Sequence, residues 1–231
     1  VGAKQNRVLN TTILLGAGAA ATIPVSCVEP GRWGYRGRFF APGDASLYAS
    51  LRRKTSEAVA RSLRLGAGHR SDQGQVWADL DRRLAARGVQ SPTGAMRDFY
   101  RHHEDEIGAA RAALAPVAGQ QGAIVYLGGR WAGLDLLPGP ELFRRCWGRL
   151  CAGYAADAVG RRPARGRPAP PAAVLGRLRR CPLAPAPAVA LGRELRLAGR
   201  RLTGAALIVD DLVAHLVAFP ASAGGGERPV P

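Results

Sequence analysis

Hydrophobic and polar positions change period several times along the chain, and each change marks an element. Residues 7–15 and 20–28 are rich in Val, Ile, Thr and Leu, with alternation clearest in Thr22-Ile23-Pro24-Val25-Ser26-Cys27. The Gly16-Ala17-Gly18 break between them predicts two strands joined by a tight connection, and Pro24 puts the second at an edge or a bulge. From Ser46 to Leu65 the period becomes helical, with Leu47, Leu51, Ala58, Val59 and Leu63 on one stripe. A second helix is predicted from about Asp72 to Arg87, burying Val76, Trp77, Leu80 and Leu84, with Asp72 and Gln75 as a capping-box variant and Gly88 as its stop. Ser91-Pro92 predicts the start of a third, burying Met96, Phe99, Tyr100, Ile107 and Leu114.

The period then falls to two. Ala123–Leu127 and Trp131–Leu137 flank Gly128-Gly129, the signature of a hairpin. Pro140 opens a fourth helix carrying Phe143, Trp147, Leu150 and Tyr154, and the tryptophans at 77, 131 and 147 lie on apolar stripes. Residues 160–190 hold seven prolines, seven arginines and no acidic residue, a composition that predicts a basic loop or linker with at most one helical turn near 174–180. Strand character returns over residues 193–219, with Asp210-Asp211 as the turn between Ala205–Val209 and Leu212–Phe219. The fold class expected is α+β: N-terminal antiparallel strands, a three-helix middle segment, a β-hairpin, a fourth helix and C-terminal antiparallel strands. The corresponding partition is 1–159 as the main domain, 160–190 as loop or linker, 191–220 as strands of the same domain and 221–231 as a frayed tail.

Composition adds a bias of charge. Thirty-three basic residues face 17 acidic ones, for a net +16, and only Lys4 and Lys54 among the basic residues are lysine. Arg over Lys, with 30 Gly and 17 Pro, fits GC-rich codon usage, which does not account for the excess over Asp and Glu. That excess is concentrated in residues 32–70 and 144–180, a field that attracts phosphates, nucleic acid or anionic lipid. No apolar run reaches the roughly 20 residues of a membrane span, so no membrane partner is expected. Cys27, Cys146, Cys151 and Cys181 form no CxxC pair and have no His at ligand spacing, so neither a metal nor a disulfide framework is expected, and the compartment reads as reducing and cytoplasmic. No phosphate loop or catalytic signature calls for a cofactor. The chain starts on Val, in sequence that reads as mid-domain, so a preceding segment is expected.

Two polar clusters interrupt the expected strands. One is Gly2-Ala3-Lys4-Gln5-Asn6-Arg7, followed by Asn10 and Thr11; the other is Pro24-Val25-Ser26-Cys27-Val28-Glu29-Pro30-Gly31-Arg32-Trp33. Together with Ser50-Leu51-Arg52-Arg53-Lys54, His69-Arg70-Ser71-Asp72-Gln73-Gly74 and Ser91-Pro92-Thr93-Gly94-Ala95-Met96, they resemble the ADP-ribosylglycohydrolase-and-rhodanese-phosphatase-superfamily-associated domain family over roughly residues 1–157. Members usually carry Gln where Pro30 stands and have further sequence ahead of the GAKQNR stretch. The resemblance implies a setting in ADP-ribose and NAD metabolism, proposed from association between genes.

Lys4, Gln5, Asn6 and Arg7 supply cationic and amide donors to both faces of an extended segment, which suits a phosphate or a set of ribose hydroxyls; surface ion pairs and strand-end capping use the same groups. Glu29 and Arg32 flank Gly31 and either orient a ligand hydroxyl or form a plain turn ion pair. Cys27 and Glu29 are the candidate catalytic groups, a thiol nucleophile and a base, against the commoner reading of a buried structural cysteine. Trp33 leads an Arg-aromatic loop with Tyr35, Phe39, Phe40, Arg36 and Arg38 that either stacks a base or packs on its own domain. Asp72 and Gln73 offer a helix N-terminus to an anion, or a simple N-cap. Lys4, Gln5, Asn6, Arg7, Asn10, Glu29, Arg32, Trp33, Asp72 and Gln73 are thus the candidate ligand-binding set for a phosphate-bearing nucleotide derivative. The alternatives are a nucleic-acid-binding module using the Arg-rich surface and a non-catalytic interaction domain. The two strands should pair antiparallel about residues 17 and 18, bringing the side chains of Asn6 or Arg7 to Glu29, with Arg32 and Trp33 closing one end of a polar cleft.

Overall fold

A computed structural model describes residues 5–34, 43, 45–161 and 168–222. The expectations for Lys4, for the aromatic loop beyond Gly34, for the arginines of 162–167 and for the tail from 223 fall outside these residues. The chain is α+β, with six helices and two antiparallel sheets among the described residues, and its contacts divide it into two compact units. One comprises residues 1–11, 23–115 and 147–159; the other comprises 12–22, 116–146 and 160–231.

The first unit is mainly helical. Its strands, β1 (Arg7–Leu9) and β2 (Val25–Cys27), are far shorter than the expected 7–15 and 20–28, because residues 12–22 belong to the second unit. The helices α1 (Ala49–Arg64) and α2 (Gln73–Ala86) follow their predicted stripes, and Leu51, Val76, Leu80 and Leu84 meet Phe99, Ile107 and Val28 in one core. Arg61 and Arg64 in the last turn of α1 complement its dipole. Asp72 caps α2 by accepting from Gln75 N at 2.9 Å, and Gly88 past its end takes φ +62°, which only glycine adopts freely.

The single third helix expected from Ser91-Pro92 is instead two. α3 (Met96–His102) begins five residues after Ser91, whose hydroxyl accepts from Ala95 N, and α4 (Glu104–Ala113) follows a break at His103. At His103 φ −111° and ψ 29° leave the helical region, and Glu104, Asp105 and Glu106 place three carboxylates in the first turn of α4, where the dipole favours them. Ile107 is buried as predicted, whereas Leu114 is exposed at the end of α4.

The second unit is built on a six-stranded sheet. β3 (Gly122–Leu127) and β4 (Arg130–Leu136) form the predicted hairpin, with Gly128 and Gly129 at φ 53° and 73°, the pair of positive values a two-residue turn of this hand requires. α5 (Pro140–Ala158) follows and continues into the first unit. Residues 160–190, expected as a loop, carry two elements: α6 (Pro171–Arg179) and β5 (Leu183–Pro187). The misreading is physical: Pro170-Pro171 is a helix start, and Pro185 and Pro187 are tolerated because β5 is an edge strand. β6 (Arg193–Gly199), β7 (Leu202–Val209) and β8 (Leu212–Pro220) complete the order β3-β4-β8-β7-β6-β5. Trp131, Leu134, Leu197, Leu202 and Ala218 cluster with Val174 and Leu178 of α6. Alternation sends Asp135, Glu194, Arg196 and His215 to the opposite face.

Candidate functional site

The two polar clusters of the first unit meet through the β1–β2 pair. Arg7 lies opposite Cys27, and the ladder extends one step further as Val28 N donates to Asn6 O at 3.0 Å. The register is one residue off the pairing of Arg7 with Val28 inferred from a symmetric hairpin: the predicted turn closes, with Ala19 N donating to Gly16 O at 3.1 Å, but the ladder ends at Asn10 and Pro24. Asn6 and Glu29 are nevertheless joined, through the main chain: Asn6 N donates to Glu29 Oε2 at 3.2 Å. The Arg7 guanidinium turns instead to Gln5, donating to Oε1 at 3.0 Å.

Glu29 is buried and fully engaged. Its Oε2 also accepts from Arg32 Nε at 2.8 Å, and its Oε1 accepts from Thr93 Oγ1 at 3.1 Å. The arrangement is a clasp between the turn after β2 and the loop before α3: Gly31 N donates to Thr93 O at 2.9 Å, and Met96 N to Val28 O at 2.9 Å. Gly31 is needed there, since a Cβ would stand 2.9 Å from Thr93 Cα. Gly94 takes φ +62° with Pro30 packed against it, so Pro30 is a packing residue of the clasp. Arg32 is itself buried and donates a second bond to Gly34 O at 3.1 Å. With a buried cation, a hydroxyl and a main-chain N–H on its oxygens, the Glu29 carboxyl organises the loop.

The remaining candidates divide in the same way. Cys27 is buried, and its Sγ accepts from Glu29 N at 3.4 Å, the arrangement of a structural cysteine. Gln73 pairs with Cys27 through both main-chain groups, and Asp72 is the N-cap of α2, so these two act locally. Asn10 is buried, donating Nδ2 to His69 O at 3.0 Å and accepting from Ser26 Oγ at 2.5 Å, with Ser71 Oγ on the other side of Ser26. Trp33 is 71% exposed, just past the Glu29–Arg32 pair. Gln5 is only 5% exposed, and its Nε2 has no partner among the described residues, while the guanidinium it steadies is on the surface. No group of three or more His, Cys, Asp or Glu among the described residues could hold a metal.

A second buried polar network went unread in the sequence. Asp157 of α5 accepts from Ser50 N at 2.6 Å, from Ser50 Oγ at 2.7 Å and from Arg83 of α2, whose Nη1 also donates to Ala156 O at 2.7 Å. The Arg83 guanidinium lies 3.7 Å from the centre of the Tyr48 ring. Lys54 bonds both oxygens of Asp79 at 2.8 Å, and Arg82 joins the same carboxylate. Burial pushes the Tyr48 and Tyr100 phenols well above their ordinary range, against the opposing pull of Arg83. The signal was Asp157 alone in the apolar run Ala152–Val159 of a helix, a charge that has to be matched from another element.

An α+β chain with a carboxylate-centred clasp between its GAKQNR and CVEPGRW stretches is the class that the fold and site define. The chain belongs to the ARPP-1 family, the ARG and Rhodanese-Phosphatase-superfamily-associated Protein domain, whose model matches residues 1–219. The match runs through β8, beyond the 1–157 over which the motifs were recognisable. No curated protein and no solved structure matches the chain. Among the described residues, no helix is long and apolar enough to cross a membrane.

Proposed function

We propose that the first unit binds a phosphate-bearing nucleotide derivative of the ADP-ribose or NAD type in a reducing, cytoplasmic setting. The carrying observation is the Gln5–Arg7 pair. Gln5 Oε1 is committed to Arg7, its buried Nε2 has no acceptor among the described residues, and the attached guanidinium is exposed. An exposed guanidinium steadied by a buried amide is pre-organised to donate to an anionic oxygen. The Trp33 ring, held exposed just past the Arg32–Glu29 ion pair, offers a face for a nucleobase. The family's association with ADP-ribosylglycohydrolases supports the same chemistry. Four cysteines without a disulfide support the reducing compartment. In this reading Glu29 and Cys27 build the site and do no chemistry in it.

The test is the thermal midpoint of the full-length protein titrated with ADP-ribose, NAD, cyclic ADP-ribose and inorganic phosphate. A rise with at least one nucleotide, lost in Arg7→Ala and in Gln5→Leu, is expected. No rise with any of them at millimolar concentration overturns the reading.

A further inference from the structure

The second unit contains a hydroxyl, an imidazole and a carboxylate in series. Thr12 Oγ1 lies 2.6 Å from His215 Nδ1, and His215 Nε2 lies 3.3 Å from Asp135 Oδ1. The sheet builds this row. Asp135 on β4 stands opposite Val217 on β8, and His215, two residues from Val217, shares its face, so carboxylate and imidazole are diagonal neighbours. On the other side of β8 the register shifts: His215 is opposite Leu207 and Val213 opposite Ile208, leaving Ala214 as a bulge beside the histidine. A bulge re-aims the neighbouring side chain, and here that side chain meets Thr12.

The geometry suits one tautomer. An imidazole whose Nε2–H faces the completely buried Asp135 carboxyl presents Nδ1 as the acceptor for the Thr12 hydroxyl. A hydroxyl that points its proton at an imidazole whose far nitrogen is held by a buried carboxylate is poised for general-base activation. The Thr12 side retains exposure while Asp135 has none, so the series runs from the surface inward. Leu14 and Leu15, two and three residues on from Thr12, and Leu191, whose N donates to Leu14 O at 3.0 Å, are all exposed, so the surface next along the chain from Thr12 is apolar.

We propose that Thr12, His215 and Asp135 form a nucleophilic centre that hydrolyses neutral carboxylic esters with an apolar acyl group, an activity independent of nucleotide binding by the first unit. In the first step Thr12 Oγ bonds to the ester carbonyl carbon, its proton passes to His215 Nδ1, and the bond from carbon to the leaving oxygen breaks as that oxygen takes the proton. In the second, water attacks the acyl-threonine, a water proton passes to Nδ1, and the acyl–Oγ bond breaks as Thr12 regains its proton. No oxidant, reductant or further reactant is consumed. Thr12 and His215 are the catalytic residues. Asp135 is a positioning residue that keeps the proton on Nε2 and steadies the imidazolium formed in each step.

The experiment treats the full chain with a fluorophosphonate probe and maps the adduct by mass spectrometry, alongside hydrolysis of p-nitrophenyl acetate and butyrate. Expected are an adduct on Thr12, faster hydrolysis of the butyrate, and loss of both signals in Thr12→Ala and His215→Gln. Thr12→Ser, which removes the methyl beside the attacking oxygen, retains activity. Asp135→Asn offers its amide N–H to Nε2, drives the proton to Nδ1, and lowers kcat by about 10³-fold or more at unchanged KM. A folded wild-type chain with no adduct on Thr12, or ester hydrolysis equal in wild type and Thr12→Ala, overturns the proposal. The adduct is read on the unaltered protein, so a variant that fails to fold does not obscure the answer.

Discussion

The Gln73 side chain pairs with Cys27 as a neighbouring strand would: Oε1 accepts from Cys27 N at 2.8 Å, and Nε2 donates to Cys27 O at 2.9 Å. β2 is only three residues long, and this amide extends its hydrogen bonding from the first turn of α2. Gln73→Ala leaves two main-chain groups of a buried residue without partners and should cost about 1–3 kcal/mol. Gln73→Glu keeps the acceptor but sets a carboxylate oxygen against the Cys27 carbonyl, so it should not rescue. The urea midpoint of the full chain measures both.

Arg32 is predicted to matter through Glu29. Removing the guanidinium in Arg32→Ala leaves a buried carboxylate with Asn6 N and Thr93 Oγ1 as its partners among the described residues, a change of the kind that costs about 3–5 kcal/mol. Replacing both, Glu29→Gln with Arg32→Ala, removes the uncompensated charge and should recover part of the loss. A double-mutant cycle by urea denaturation reads the coupling. Equal and additive losses would mean that the pair is worth no more than a surface contact.

These two relationships mark where sequence reading carries and where it stops. The helical stripes of α1 and α2, the Gly128-Gly129 turn and the Asp210-Asp211 turn were legible because each is a local pattern with a local cause. The proximity of Asn6 to Glu29 was legible for a poorer reason. Pairing about residues 17 and 18 assumed a tight hairpin, and the near-correct register arises although residues 12–22 belong to another unit. The break at His103 and strand β5 were not legible, since a run of carboxylates and two prolines state a preference without saying what the rest of the chain will tolerate. The partners Thr93 to Glu29, Asp157 to Arg83 and Thr12 to His215 are separated by 64, 74 and 203 residues. Only the assembled backbone brings such pairs together.

Tyr48 gives the stability an alkaline limit. Burial raises its phenol above the ordinary value near 10, so between that value and the folded one the native state keeps a proton that the unfolded chain has released. Stability is therefore intact below about pH 10 and falls above it, by about 1.4 kcal/mol per pH unit for one such group. Tyr48→Phe keeps the ring on which the Arg83 guanidinium packs, so it should lose little stability at neutral pH. Urea midpoints between pH 9 and 12 should fall less steeply in the variant, and parallel curves would refute the assignment. Tyr100 is raised by the same cause but donates to Ser46 O at 2.7 Å, so Tyr100→Phe should lose stability at neutral pH as well.

The turn joining β7 and β8 should be improvable. Asp210 and Asp211 take φ 48° and 59°, the left-handed values that the other hairpin assigns to Gly128 and Gly129. Placing a side chain there costs roughly 1–2 kcal/mol, and exchanging it for glycine returns about 0.5–1 kcal/mol of unfolded-chain entropy to the opposite side. The exposed contact of Asp211 with Arg193, at 3.4 Å, contributes little that would be lost. Asp211→Gly should therefore stabilise the hairpin by about 0.5–1 kcal/mol, and Asp211→Val, which brings a β-branched side chain to the same φ, should destabilise it by more than that. Hydrogen exchange at the β7 and β8 amides reads both, slower in the first variant and faster in the second. Because this turn sets the pairing that leaves Ala214 bulged beside His215, the valine variant should also weaken the Thr12–His215 hydrogen bond, seen as a shift of the His215 ring resonances. A turn that tolerates valine without change in either signal would mean that the register of β8 is set by β4 instead.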